Sequence, residues 1–328
     1  MAAADQIKSL IKSFGEGDES RFFATAMQIA ATEARKGHSN FAQELKNVID
    51  KARKERSQDF IENKAIPLNV HKRDLEELIE VFQPKIKLSS MVLDLQTQNS
   101  LKSVIKEQEK WQVLKQHNLE PKRKLLLTGE PGTGKTMTAQ AIAGELGLMV
   151  YIIRLDGLIS KYLGESIAKL RLIFDAMLDH RAVYLFDEFD SIGSHRNLQH
   201  DVGEIKRVLN SFLINIEKDP SNSIIIAATN LPESLDSALF RRFDDIIEYP
   251  LPDEEHIVSI IKKSLHNFKF SSKVNFKELS KISVGLNYSD IVKACNDTIK
   301  EMILSGSENL QFELLKDNLK KRKIINVK

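Results

Sequence analysis

Three observations predict an α/β fold built on a parallel sheet. Five short runs, Lys124–Thr128, Met149–Arg154, Ala182–Asp187, Ile224–Thr229 and Ile246–Tyr249, are separated by stretches of helical periodicity. Most of these runs are apolar along their length rather than alternating, the pattern of strands covered on both faces. The first leads directly into Gly129-Glu130-Pro131-Gly132-Thr133-Gly134-Lys135-Thr136 and then into helix-forming residues from Met137 to Leu146. That strand–loop–helix order is the context in which G-x-x-x-x-G-K-[ST] binds phosphate.

Taken in order, residues 5–56 carry three helical patterns. Ile7, Leu10, Ile11 and Phe14 mark the first, Phe22, Ala26, Ile29 and Ala30 the second, and Phe41, Leu45, Val48 and Ile49 the third. Residues 1–56 are therefore expected to form a small helical bundle. Residues 57–88, charged at first and then punctuated by Pro67 and Pro84, read as a linker. Residues 89–250 hold the five strands and form the α/β domain. After Pro250-Leu251-Pro252 the β-rich runs stop, and 251–328 reads as a small helical domain.

Composition narrows the function. The chain has 328 residues, of which 42% are hydrophobic and 29% charged, as in an ordinary globular protein of about two domains. A formal charge of +2 argues against a general nucleic-acid or membrane-surface role. The single cysteine, Cys295, sits in a helical pattern with Ile291, Val292 and Ile299 and is expected in a core. It cannot form an intrachain disulfide. No apolar run is long enough to span a membrane, and the start of the chain lacks a secretion pattern, so a cytoplasmic location is expected. Trp111, on a helix before the phosphate loop, is also expected in the core. His195 and His200 read as solvated loop residues. The basic run Leu319-Lys320-Lys321-Arg322-Lys323 reads as an exposed helix end.

The phosphate loop supplies a nest of backbone N–H groups at the positive end of a helix dipole. Residues 129–136, with Met137, are the expected nucleotide-binding set. Lys135 would reach the β- and γ-phosphates, and Thr136 would ligate Mg²⁺. A second constellation is Val183-Tyr184-Leu185-Phe186-Asp187-Glu188, an apolar strand that delivers two carboxylates where ligands bind in open parallel sheets. Asp187 would hold the metal through water, and Glu188 would orient the attacking water. Asn230, at the end of Ile224–Thr229, would hydrogen-bond the γ-phosphate or that water. The strand before it is expected to neighbour the phosphate-loop strand. Arg241 and Arg242, adjacent in Leu235–Asp244, suit an arginine that stabilises transition-state charge at a neighbouring subunit's γ-phosphate; which of the two does so is left open.

These motifs, in this order and spacing, resemble the classical clade of the AAA ATPases, the group of FtsH, katanin, spastin and the proteasomal ATPases. The resemblance covers roughly residues 90–325. It implies a five-stranded parallel sheet with a helical lid, and a homo-oligomeric ring, usually a hexamer, with ATP and Mg²⁺ at the subunit interfaces. It also gives Ser160-Lys161-Tyr162-Leu163-Gly164-Glu165-Ser166 a meaning. Lys161, Tyr162 and Leu163 match the first pore loop, in which an aromatic residue grips an extended polypeptide. Three departures stand out. Tyr288-Ser289 replaces a Gly-Ala pair beside the adenine, Arg241 and Arg242 lack the usual Pro-Gly insert, and Met91-Val92-Leu93-Asp94 replaces a Gly-Gly segment. Adenine contacts from that last segment are then expected from backbone and apolar groups.

The implied function is an ATP-hydrolysing ring that remodels or unfolds proteins by threading them through its pore, with a separately encoded protease or adaptor as a candidate partner. A rival reading is an ATP-dependent assembly switch or scaffold for a separate protease or effector. A nucleic-acid motor is disfavoured, because basic–aromatic interleaving is missing.

Overall fold

A computed structural model describes residues 19–35, 37–38, 40–49, 78–158, 163–192, 202–235, 237–271 and 274–326. The chain divides into two compact units, 1–70 and 71–328. In the first unit, helix α1 (Glu19–Arg35) and a helical run over 40–49 contribute Ala26, Ala30 and Ile49 to a small core, with Leu45 packed against it. Phe41 and Val48, expected on the inner face, are 53% and 62% exposed. The first expected helix lies outside the described residues.

The second unit is built on one six-stranded sheet. Its strands are β1 (Ile79–Phe82), β2 (Lys124–Gly129), β3 (Val150–Ile153), β4 (Val183–Phe186), β5 (Ile224–Thr229) and β6 (Asp245–Tyr249), in the order β1-β3-β4-β5-β2-β6. The five expected strands are all present and parallel. The expected count of five is corrected to six, because β1 pairs antiparallel with β3, Ile79 opposite Ile153 and Phe82 opposite Val150. Part of the stretch read as a linker is thus the sheet's edge strand. It covers the open side of β3 with backbone hydrogen bonds.

Central strands bury both faces, and their alternation assigns each side chain to a layer. Val183 and Leu185 of β4 join Leu125, Leu127, Ile224 and Ile226 under helices α2 (Leu95–Glu109) and, after the short α3 (Trp111–Gln116), α4 (Lys135–Leu146). Tyr184 and Phe186 point the other way. There Phe186 meets Phe174 of α5 (Leu163–Asp179) and Phe212 of α6 (Val202–Lys218), the latter ring 5.0 Å away and edge-on. Burial pushes the Tyr184 phenol well above its usual range, and its hydroxyl donates to the Ala176 and His180 carbonyls.

A separate apolar cluster organises the C-terminal helices α7 (Glu254–Ser264), α8 (Phe276–Ser283), α9 (Tyr288–Leu304) and α10 (Phe312–Asn326). Cys295 is fully buried in it, and that burial pushes its thiol up to about 12. Asp253, Asn275 and Asn287 each cap a helix there, accepting from the backbone N–H of His256, Glu278 and Asp290. One expectation is corrected and another qualified. Trp111 is half-buried rather than core, because α3 is a six-residue helix with no buried residue; Lys115 lies 5.6 Å from the Trp111 ring. The basic C-terminal run is exposed at Lys320, Lys321 and Lys323 as expected, but Leu319 is fully buried and Arg322 pairs with Asp297.

Candidate functional site

A cleft of about 540 Å³ opens at the C-terminal ends of the parallel strands, where the sheet meets the lid. Its phosphate end is set by β2 and α4. Gly129 closes the strand beside Tyr249, and a Cβ at Gly129 would lie 2.4 Å from the Tyr249 carbonyl oxygen. Only glycine lets β2 and β6 stay paired through that point. Behind the loop, the Thr138 and Tyr249 hydroxyls share a buried hydrogen bond of 2.6 Å. Thr138 is fully buried and its hydroxyl also reaches the Gly134 carbonyl, so the start of α4 is held from two sides.

The beginning of α4 is unlike those of α2, α7, α8 and α9. Each of those has a side chain accepting from its first turn; α4 is capped by Gly134 with no side-chain hydrogen bond. Its first N–H groups are left for an anion, and the helix dipole adds to the attraction. Lys135 is 6% exposed and donates from Nζ to the carbonyls of Gly129 (2.7 Å) and Glu130 (2.8 Å). Burial lowers its pKa, opposed by the charges of Asp187, Asp190 and Glu130. A buried ammonium held by carbonyls alone is poised for an anion. Gly129 and Glu130 therefore serve the site through backbone carbonyls, while Pro131, Gly132, Thr133, Gly134, Lys135, Thr136 and Met137 line the cleft itself.

The second wall comes from β4 and β5, which lie side by side with Phe186 opposite Ala227. Asp187 Oδ2 accepts from the Thr136 hydroxyl at 2.7 Å. Asp187 Oδ1 accepts from the backbone N–H of Glu188 at 2.9 Å. Glu188 adopts φ of 50°, a left-handed conformation uncommon for a non-glycine residue, and it is exposed on the cleft wall. Strain of this kind costs about 1–3 kcal/mol and gathers at functional positions. Asn230 also lines the cleft, and β5 pairs with β2 from Lys124 opposite Ile225 to Thr128 opposite Thr229.

Met91, Val92, Ile260, Tyr288 and Val292 form an apolar end. Tyr288 is half-buried, which pushes its phenol up to about 12. The lid touches the loop directly: Ser289 N–H donates to the Gly132 carbonyl at 3.0 Å. Gly132 has φ of 76°, and a Cβ there would lie 2.7 Å from Asn287 Oδ1.

Arg241 and Arg242 are not in this cleft. β6 runs parallel to β2 with Asp245 opposite Leu125 and Tyr249 opposite Gly129, so residues 241–244 lie at the opposite end of the sheet from the phosphate loop. The four residue steps from Asp245 to Tyr249 span about 13 Å. Asp244 staples the arginine turn to the start of β2, accepting from the backbone N–H of Arg123 (2.8 Å) and Lys124 (2.9 Å). Arg242 is held by its own chain: it donates to Glu217 Oε2 at 3.2 Å and to the Ala238 carbonyl at 2.6 Å. Arg241 is exposed, with no hydrogen bond or ion pair among the described residues.

Lys161 and Tyr162 lie outside the described residues, as do His195 and His200; Leu163 opens α5. Sequence reasoning missed Asp190, which joins the β4 and β5 exits, and the contact of Asn287 and Ser289 with Gly132. Both depend on partners far away in the chain, so no local pattern marks them.

A family model described as "ATPase family associated with various cellular activities (AAA)" matches residues 125–251. The chain is 32% identical to "Uncharacterized AAA family ATPase y4kL" of Sinorhizobium fredii, over 95% of this chain and 92% of that protein. It is 33% identical to "Meiotic spindle formation protein mei-1" of Caenorhabditis elegans, over 53% of this chain and 38% of that one. It is 31% identical to "Putative 26S proteasome regulatory subunit homolog" of Methanothermobacter thermautotrophicus, over 62% of this chain and 55% of that one. The matched segments thus span about half or less of the last two proteins' lengths.

Proposed function

Since this chain belongs to the AAA family of ATPases and so binds nucleotide, we propose that it works as a homo-oligomeric ring, a hexamer, that uses Mg·ATP to unfold or remodel protein segments drawn through a central pore. The observation that carries this reading is the division of the chemistry between the two ends of one sheet. The cleft holds an anion cradle, a hydroxyl–carboxylate pair and two polar residues at strand exits. The guanidinium of Arg241, unpaired among the described residues, stands at the other end, where it suits a neighbour's cleft better than its own.

Within the cleft, the first turn of α4 and Lys135 would bind the phosphates. Thr136 Oγ1 and Asp187 Oδ2 converge closely enough to share a cation. The described residues contain no cluster of three or more His, Cys, Asp or Glu that could cage a metal. Mg²⁺ fits such a place, because it takes few protein ligands and completes its shell with phosphate and water. When bound it would neutralise charge on the phosphate oxygens. Glu188 would orient the attacking water, and Asn230 would hydrogen-bond that water or the γ-phosphate. Arg241 of the adjacent copy would stabilise charge as the phosphoryl group departs, with Arg242 fixing the turn. Positioning and charge placement of this kind are most of what phosphoryl transfer needs.

Tyr162, with Lys161 and Leu163, would grip the polypeptide, and the N-terminal residues 1–56 would recruit it or an adaptor. A separately encoded protease could receive the product. Among the described residues no helix is long and apolar enough to cross a membrane.

The test uses Glu188→Gln. This variant should bind ATP and assemble in its presence, read by light scattering, yet lose turnover by about 10²–10³-fold. Hydrolysis at the parent rate would end the water-orienting role. In the same assay, unfolding of a tagged fluorescent protein should disappear in Tyr162→Ala; undiminished unfolding would remove the threading reading and leave an assembly switch.

A further inference from the structure

We infer that Asp190 is a positioning residue for hydrolysis, holding the loop that carries Asn230 in register with the turn that carries Glu188. The inference rests on the reading above, in which Glu188 and Asn230 serve the water and the γ-phosphate.

Asp190 sits two residues past Glu188, in the short helical turn Phe189–Ile192. Its Oδ1 accepts two hydrogen bonds from the exit of β5: the Thr229 hydroxyl at 3.0 Å and the Asn230 backbone N–H at 3.1 Å. The Thr229 oxygen in turn accepts from the Leu231 backbone N–H at 3.1 Å. Three consecutive residues of the β5 exit therefore depend on one carboxylate oxygen. Thr229 is fully buried, so its hydroxyl must find a protein partner, and Asp190 is the acceptor within reach.

The other side of the turn is fixed by packing. Phe189 is fully buried, with its ring 4.8 Å from that of Phe212. An aromatic anchor on one side and a carboxylate clamp on the other leave the Glu188 backbone little freedom. Asp190 does not line the cleft; it stands behind the two residues that do. Its place is thus suited to setting the distance between Glu188 and Asn230 and ill suited to touching the nucleotide.

The full chain carrying Asp190→Ala is compared with one carrying Asp190→Asn, whose amide oxygen still accepts both bonds. Binding is followed with a fluorescent ADP analogue, and turnover at saturating ATP. Asp190→Ala should lower kcat by about 10²-fold, the scale of a misplacement of about 1 Å, with nucleotide affinity unchanged. Asp190→Asn should recover most of the rate. Thr229→Val removes the two hydrogen bonds of that hydroxyl, to Asp190 and from Leu231, at nearly constant volume and keeps the bond from the Asn230 N–H to Asp190. It should lower kcat less, again with affinity unchanged, and it serves where Asp190→Ala does not fold. Parental kcat in both Asp190→Ala and Thr229→Val would overturn the inference. So would affinity and rate falling together in Asp190→Ala with no recovery of either in Asp190→Asn. A parent chain that binds nucleotide and does not hydrolyse it would instead remove the hydrolysis reading on which the inference stands.

Discussion

Where the parallel strands end, Lys135, Thr136, Asp187 and Asn230 line one cleft, with Lys135 held by the Gly129 carbonyl, Thr136 bonded to Asp187, and Asn230 held by Asp190. Where those strands begin, Arg242 is tied down by Glu217 and the Ala238 carbonyl, and Arg241 beside it is exposed. The contrast is between a site furnished for binding and a charge with no partner among the described residues. A half-buried or buried cation normally finds an acceptor in its own fold. An exposed one next to a fixed twin is free to reach another molecule. The two ends are joined by β2, which carries the phosphate loop at its exit and, through Asp244, the arginine turn at its start. In the ring proposed above, one strand would thus serve two different reaction centres.

The largest effect should come from Arg241→Ala. It should reduce ATP turnover by about 10³-fold while leaving nucleotide affinity at the parental value. Mixing it with Lys135→Ala copies should restore part of the rate, because one variant then supplies the arginine and the other an intact cleft. Steady-state ATPase across mixing ratios reads this directly; a full parental rate for Arg241→Ala alone would erase the contrast between the two ends. An intermediate effect is expected from Gly132→Ala. A non-glycine residue in the left-handed region costs about 1–2 kcal/mol, and the new methyl would press on Asn287 and Ser289. Nucleotide affinity should fall about tenfold in a fluorescent-ADP titration, whereas the arginine end should be untouched. The smallest effect belongs to Arg242→Ala. Its pair with Glu217 is partly exposed and contributes about 0–1 kcal/mol, so urea denaturation should move little. Turnover should fall by less than for Arg241→Ala; an equal fall would give both arginines the same role.

Much of the cleft was legible in the sequence because its parts are local. The phosphate loop is a run of eight residues with fixed positions, and β2, β4 and β5 are unbroken apolar runs that no amphipathic helix would show. The edge strand β1 was not legible. Ile79-Glu80-Val81-Phe82 is four residues long, follows helix-like sequence, and becomes a strand through its antiparallel partner β3. Trp111 misled for a related reason: large aromatic residues favour cores, but a helix of six residues has little to cover one. Asp190 reads as one more acid in a polar turn, and its two partners lie 39 and 40 residues away. The inequality between Arg241 and Arg242 likewise depends on Glu217, far off in the chain. Short-range pattern marks the candidate groups of the cleft; the supports behind them are set by tertiary contacts.

The bond from Ser289 to Gly132 gives the lid a fulcrum on the phosphate loop itself. The helix that carries Ser289, α9, is 17 residues long, roughly 25 Å, and extends away from that point. A tilt of about 5° at its near end would carry its far end through about 2 Å, by the lever arm of a rigid rod of that length. Events too small to see at a phosphate could in this way become displacements large enough to shift whatever rests on the distal end of the helix.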